Sequence, residues 1–255
     1  MHDDKPVLTR TAICAGLRDL GLRSGDLVIV HSSLKSFGRV EGGADAVIDA
    51  LLDAVSPGGT VAVPTLTYGP FAPENPPPLF DPKTRPCIVG HIPETFRQRP
   101  EAKRSLHPTH SIAAIGPLAD ELIRDHERAR SPIGPDGAWG RIAQHGGYVL
   151  MLGAPIHTCT MKHGPEEMLI PWRLTDWVDC QVVAPEGVRT VRIRLHQRPP
   201  EGKPQWSLER VLDQMERTGG VRRGAIGPSP QVLIHAARFW VAVLADIERS
   251  VLATL

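Results

Sequence analysis

The chain has 255 residues, 41% hydrophobic and 22% charged, which is enough to bury a large core and too apolar for a disordered segment. Its 29 Lys and Arg against 28 Asp and Glu leave a formal net charge of +1, so no overall field would draw it to nucleic acid or an anionic membrane, and neither is expected as a partner. Cys14, Cys87, Cys159 and Cys180 show no C-x-x-C spacing, and the opening MHDDKPVLTRT has no apolar run of signal-peptide type, which points to a reducing cytoplasm with free thiols.

Leu8, Ile13, Leu17 and Leu20 recur at helical spacing before Gly21 and predict an opening amphipathic helix. A β-branched run then predicts a buried strand over 27–30, followed by a helix over 44–55 that Pro57-Gly58-Gly59 stops, and a second buried strand over 60–63. Residues 69–86 hold seven prolines and no periodicity, so they read as a long irregular loop of the kind that shapes a site. Helices are expected over 92–97, 118–126 and 139–145, and strands over 112–115 and 148–152. Alternation around Ala184-Pro185-Glu186-Gly187 predicts a hairpin over 178–183 and 188–195, which would make the sheet mixed. The apolar stretch 232–255 is broken by His235, Arg238, Asp246, Glu248 and Arg249, so it reads as a packed C-terminal helix and not a membrane span. The fold class expected is α/β: a single domain over 1–255 with a mixed central β-sheet, helices on both faces and the Pro-rich loop over a cleft.

Three segments carry candidate chemistry. His31, Ser32, Ser33, Leu34 and Lys35 follow the first strand, where α/β folds bind ligands, and could hold a phosphate; the alternative is a plain turn with a solvated Lys35. No G-x-G-x-x-G or G-x-x-x-x-G-K-[ST] occurs nearby, which removes the main support for nicotinamide or P-loop nucleotide binding. Arg104, Ser105, His107, His110 and Ser111 gather a cation, two imidazoles and hydroxyls before the strand over 112–115; equally, the two imidazoles could bond backbone carbonyls around Pro108. After the strand over 148–152, Pro165 fits the first position of a new helix, and Glu166, three residues beyond His163, can bond that ring and raise its basicity. That is the arrangement of a general base, although helix capping would give the same spacing. His157, Cys159 and His163 could instead ligate zinc with Glu166 as base, in a hydrolase or amidase, and a nucleophilic Cys159 beside His163 is a further alternative.

Three segments in order resemble the aminoglycoside (antibiotic) 3-N-acetyltransferase family: 30–65, which opens VHSSLKSFGRVEGG; 80–117, which contains RSLHPTHS; and 131–155, SPIGPDGAWGRIAQHGGYVLMLGAP. The resemblance implies acetyl-CoA as co-substrate, no metal, and a small-molecule amine as acceptor, with the 3-amino group of an aminoglycoside leading and a different amine as the alternative. It places His31, Ser32, Ser33, Leu34 and Lys35 at the CoA site, with Arg104, Ser105, His107 and Ser111 bordering the same cleft. It assigns His163 as base and Glu166 as its orienting carboxylate; the tetrahedral oxyanion of such a transfer needs donors, for which Thr160 and nearby backbone N–H groups are the candidates. The neighbours Pro155, Ile156, His157, Cys159, Gly164-Pro165 and Glu167 depart from the family's G-x-G-H-D-x-N-T-x-x-H-x-A-E-Y pattern close to the acceptor. An acceptor with several amines would favour an acidic cleft, for which Glu74, Asp81, Glu167, Asp176 and Asp179 are the available carboxylates. The expected state is a cytoplasmic monomer or homodimer, with antibiotic resistance as the associated role.

Overall fold

The computed structural model describes residues 7–198 and 206–250, so the two ends of the expected 1–255 domain and the end of the expected 232–255 helix lie outside the described residues. Thr9 accepts a hydrogen bond from the Ala12 N–H and caps α1 (Arg10–Leu20), which ends on Gly21 at φ 118°. After it come β1 (Leu27–Ser32), α2 (Gly43–Val55), β2 (Thr60–Pro64), α3 (His91–Arg97), β3 (Lys103–Arg104), β4 (Ile112–Ile115), α4 (Ala119–Ile123), α5 (Ala138–Gln144), β5 (Tyr148–Leu152) and α6 (His163–Leu169). The chain closes with β6 (Leu174–Ala184), β7 (Gly187–His196), α7 (Leu208–Arg217), β8 (Val221–Ile226), β9 (Ser229–His235) and α8 (Ala236–Ser250).

A seven-stranded mixed sheet in the order β3-β4-β2-β1-β5-β9-β8 forms the centre, with β2, β1 and β5 mutually parallel and the outer strands antiparallel to their neighbours. The period of two in a strand sends alternate residues to opposite faces, and both faces here are apolar. Ile29, Ala62, Val149 and Met151 pack under Trp139, Phe239 and Val243 on one side. Val28, Val30, Val61 and Leu150 pack under Ile13, Leu17, Ile48 and Phe96 on the other. This is the two-faced helical cover that the sequence predicts.

The hairpin is where it was expected, but it stays out of the central sheet. β6 and β7 form a separate two-stranded sheet whose inward residues, Val178, Val182 and Ile193 among them, pack on Phe80 in a core of their own. The sheet is mixed because of β3, β4, β9 and β8 instead. Residues 232–235 continue β9 against β5 rather than starting the last helix, since Val232, Leu233 and Ile234 alternate between environments and pair with Met151, Leu150 and Val149. The helix expected over 118–126 stops at Ile123, two residues before Asp125 takes φ 52°. Helix α6 begins at His163, so Pro165 is its third residue; that position is tolerated because the first-turn N–H groups have no intrahelical partner. No helix among the described residues is long and apolar enough to cross a membrane.

Candidate active site

The parallel strands β2, β1 and β5 all point their carboxyl ends at one cleft of about 1200 Å³, where Pro64, His31, Ser32 and Ala154 form its floor. The Pro-rich loop contributes its two ends, Tyr68-Gly69 and Ile88 to Gly90, whereas Pro70 to Pro86 do not line the cleft. Phe80, midway along, is bonded through its backbone to Gln181 and Val183 of β6, so the loop ties the hairpin to the body.

His163 and Glu166 stand three residues apart on α6, one helical turn, so the two side chains meet: His163 Nδ1 lies 2.6 Å from Glu166 Oε2. The other carboxylate oxygen accepts from Arg173 Nη2 at 2.6 Å and from Trp206 Nε1 at 2.6 Å. Three donors, one of them a cation, hold Glu166 ionised and well below the usual carboxylate range against the opposing effect of burial. An ionised Glu166 fixes the proton of His163 on Nδ1 and leaves the lone pair on Nε2. Burial lowers His163 to about 4, against the pull of Glu166, so the ring is neutral at neutral pH. His196, at the end of β7, stacks beside it with ring centroids 4.3 Å apart, and its Nδ1 lies 2.9 Å from Glu167 Oε1. Glu167 is fully enclosed, accepts the Ile133 N–H at 2.9 Å, and is pushed up to about 8 by burial.

Of the residues read from sequence, His31, Ser32, Ser33, Thr160, His163 and Glu166 line the cleft together. His31 Nε2 and Ser32 Oγ are buried without a hydrogen-bond partner, and burial with Lys162 nearby holds His31 at about 3. Leu34 and Lys35 do not line the cleft: Leu34 packs on the core and Lys35 points to solvent. Arg104, Ser105, His107 and Ser111 also stand away from it, which corrects their expected place. Arg104 donates to the backbone oxygens of Thr65, Pro82 and Arg85 and lies 5.0 Å over the Phe80 ring, so it fastens the Pro-rich loop to β2. Ser105 bonds His126, Ser111 bonds the Thr65 carbonyl, and His107 Nδ1 accepts the His110 N–H, all within the wall behind the cleft. Only His110 of that segment reaches the lining. Arg173, His196 and Trp206 were not singled out from sequence; no local spacing marks them, because the hairpin and α7 bring them to α6 only in three dimensions.

The zinc set is not assembled. Cys159 is buried in the core beneath the sheet while His157 is exposed, and burial raises the Cys159 thiol to about 11, which also removes it as a ready nucleophile. Ligand atoms of His163, Glu166 and His196 do lie within 4.8 Å of one another. Both Glu166 oxygens are already taken by three donors, however, and the Arg173 guanidinium beside them opposes a second cation.

The profile of the aminoglycoside 3-N-acetyltransferase family matches residues 29–246. Aminoglycoside N(3)-acetyltransferase IX of Micromonospora chalcea is 38% identical over 182 residues, which span 66% of this chain and 64% of that protein, a little under two thirds of its length. Among solved structures, AAC-IIIb in a binary complex with CoASH superimposes with a TM-score of 0.80 at 30% identity, over 96% of this chain and 97% of the other. AAC-VIa bound to sisomicin does so with a TM-score of 0.79 at 27% identity, over 96% and 98%. The profile match covers most of the chain, and the superposition with AAC-IIIb extends over 96% of it: the chain belongs to the aminoglycoside 3-N-acetyltransferase family.

Proposed function

We propose that this protein moves the acetyl group of acetyl-CoA to a primary amine of a small molecule, as one catalytic domain, with His163 as general base. The carrying observation is the His163–Glu166 pair at 2.6 Å, opening on a cleft whose lining residues also hold three buried polar atoms without partners, His31 Nε2, Ser32 Oγ and Arg173 Nε. Those atoms are where a polar co-substrate gains hydrogen bonds that the protein alone leaves unmade.

An amine is mostly protonated near neutral pH and cannot attack a thioester until it loses that proton. Nε2 of His163 takes it, and Glu166, held by Arg173 and Trp206, stabilises the imidazolium that forms. The amine nitrogen then bonds to the thioester carbon, and Thr160, buried on the cleft wall, is the hydroxyl we assign to the developing oxyanion. As the C–S bond breaks, the proton on His163 passes to the departing sulfur and the nitrogen gives up its second proton to solvent, leaving CoASH and a neutral amide. Within the class of amines, family membership makes the aminoglycoside 3-amino group the acceptor to test first. The test is thiol release from acetyl-CoA against a panel of amines, with melting temperature measured alongside. Acetyl-CoA should raise the melting temperature and at least one amine should release thiol; no shift at a millimolar concentration would sink the donor assignment.

A further inference from the structure

His163 and His196 stand side by side in the cleft, ring centroids 4.3 Å apart, and each is backed by its own glutamate. His163 Nδ1 meets Glu166 at 2.6 Å and His196 Nδ1 meets Glu167 at 2.9 Å. Only the first of these pairs is used by the acetyl transfer, and the two carboxyls sit in opposite surroundings. Glu166 has the Arg173 guanidinium and the Trp206 N–H on its second oxygen, which keeps it ionised. The Glu167 side chain is 0% exposed, has no Lys or Arg partner among the described residues, and follows the ionised Glu166 in α6. A buried carboxyl without a cation keeps its proton, and a second carboxylate nearby strengthens that preference. Glu167 does not line the cleft, so it acts on the reaction only through His196.

The hydrogen bonds fix where that proton lies. A backbone N–H only donates, and Glu167 Oε2 accepts the Ile133 N–H at 2.9 Å, so the acid proton sits on Oε1 and is given to His196 Nδ1. Burial, with Arg173 and Lys162 nearby, keeps the His196 ring neutral, so its single proton is on Nε2. His163, backed by an ionised carboxylate, has the reverse tautomer and a lone pair on Nε2. Neither Nε2 has a hydrogen-bond partner among the described residues, and both are open to solvent. The two adjacent rings therefore present one acceptor and one donor to the same cleft.

We infer that His196 is a second oxyanion donor for the transfer, bonding the thioester oxygen from Nε2–H as the amine adds, and that Glu167 positions it by fixing this tautomer. The inference rests on acetyl transfer with His163 as base. In the tetrahedral intermediate the oxyanion is two bonds from the nitrogen that His163 deprotonates, which brings it within reach of a donor on the neighbouring ring. Thr160, in the turn that leads into His163, supplies the other donor. A neutral imidazole suits this task because it donates without competing for the amine proton, and no proton leaves Nε2, so the proton balance of the transfer is unchanged. Glu167 is also one of the positions where this chain departs from the family's pattern, so the second pair is this chain's own.

Kinetics of the full chain with acetyl-CoA and the amine that releases thiol fastest are paired with ¹⁵N NMR of the histidine ring nitrogens, the His196 signals being assigned by their loss in His196→Gln. The spectrum near neutral pH should show His196 protonated on Nε2 and His163 on Nδ1. His196→Ala should lower kcat about a hundredfold with the KM for acetyl-CoA unchanged, the usual cost of one oxyanion donor, and His196→Gln, whose amide N–H can still donate, should recover part of the loss. Glu167→Leu leaves Nδ1 without a donor and should lower kcat on the order of tenfold or more, as expected when a ring loses the group that sets its tautomer. Glu167→Gln should recover most of that, since its carbonyl accepts the Ile133 N–H while its N–H₂ faces Nδ1. A His196 ring with its lone pair on Nε2, near-normal kcat in folded His196→Ala, or a Glu167→Gln variant no better than Glu167→Leu would each overturn the inference. Should His196→Ala fail to fold, the tautomer and the Glu167 pair decide. Thiol release from no amine would overturn acetyl transfer and this role with it, whereas thiol release with the His196 tautomer reversed would sink the role of His196 alone.

Discussion

His163 has to be neutral to work, and its surroundings make it so over a wider range than a free imidazole would allow. Burial holds the ring at about 4, so activity that depends on the neutral form is lost only as pH falls through that value, and between pH 6 and 8 any titration in the rate belongs to other groups. The sequence alone would place that limb near the ordinary imidazole value. His163→Ala should lower kcat on the order of a hundredfold or more with acetyl-CoA binding retained. Near-normal kcat in that variant would pass the role of base to His110, His157 or His196, which also line the cleft. Glu166→Gln should cost less in kcat but should also lower the melting temperature, because the amide N–H₂ must face one of three donors and the Arg173 charge loses its counterion. A kcat/KM profile with an acidic limb near 6.5 would show a solvated ring in place of the buried one.

Arg104 and Lys35 separate at the level of elements, where the sequence treats them alike. Arg104 binds three backbone oxygens and covers Phe80, so Arg104→Ala should destabilise the fold by about 2 kcal/mol as the Pro-rich loop loosens from β2, whereas Lys35→Ala should leave the melting temperature and the KM for acetyl-CoA within error. A raised KM in either variant without loss of stability would return that residue to the cofactor site. β1, β2, β4 and β5 are legible in the sequence because strands buried on both faces are short apolar runs, told from buried helix segments by their length and by the β-branched residues and flanking turn signals of β1 and β2. The His163–Glu166 pair is legible because a helix turn fixes it locally. Arg104 to Ser111 show where this stops: the same residues can face a cleft or back its wall, and only the pairing of β3 with β4 decides. Apolar pattern marks neither β8, where Arg222, Arg223 and Gly224 interrupt it, nor β9, whose apolar run over 232–235 passes directly into α8; only the likeness of 219–237 to the family's closing strand and helix points there. His196 at the end of β7, Arg173 just before β6 and Trp206 just before α7 join the site from three separate places in the chain, a convergence that no spacing records.

Across the whole molecule, four buried imidazoles, His31, His107, His110 and His126, and two half-buried ones, His163 and His196, stand in the cleft or in the wall behind it, and that sets the molecule's response to acid. Burial holds His31 at about 3, His126, His163 and His196 at about 4, and His107 and His110 well below the ordinary value. In the unfolded chain each would titrate near 6.5, so between that value and about 4 the unfolded state binds more protons, and stability falls with pH. Glu167 works the other way: raised to about 8, its contribution is complete at low pH and is lost as pH rises through 8, so it offsets one imidazole. Six rings against one carboxyl make the net sign clear between pH 7 and 5, a window above the titration of the ion-paired carboxylates Asp53, Glu94 and Asp246, which their arginine partners hold lowered against the opposing effect of burial. The melting temperature should drop by roughly 10 °C between pH 7 and pH 5, and unfolding near pH 5.5 should take up protons, measured by calorimetry in buffers of different ionisation enthalpy. Proton uptake near zero, with a melting temperature flat across that window, would mean that these rings are already charged in the native protein, and with it would go the neutral His163 on which the proposed base depends.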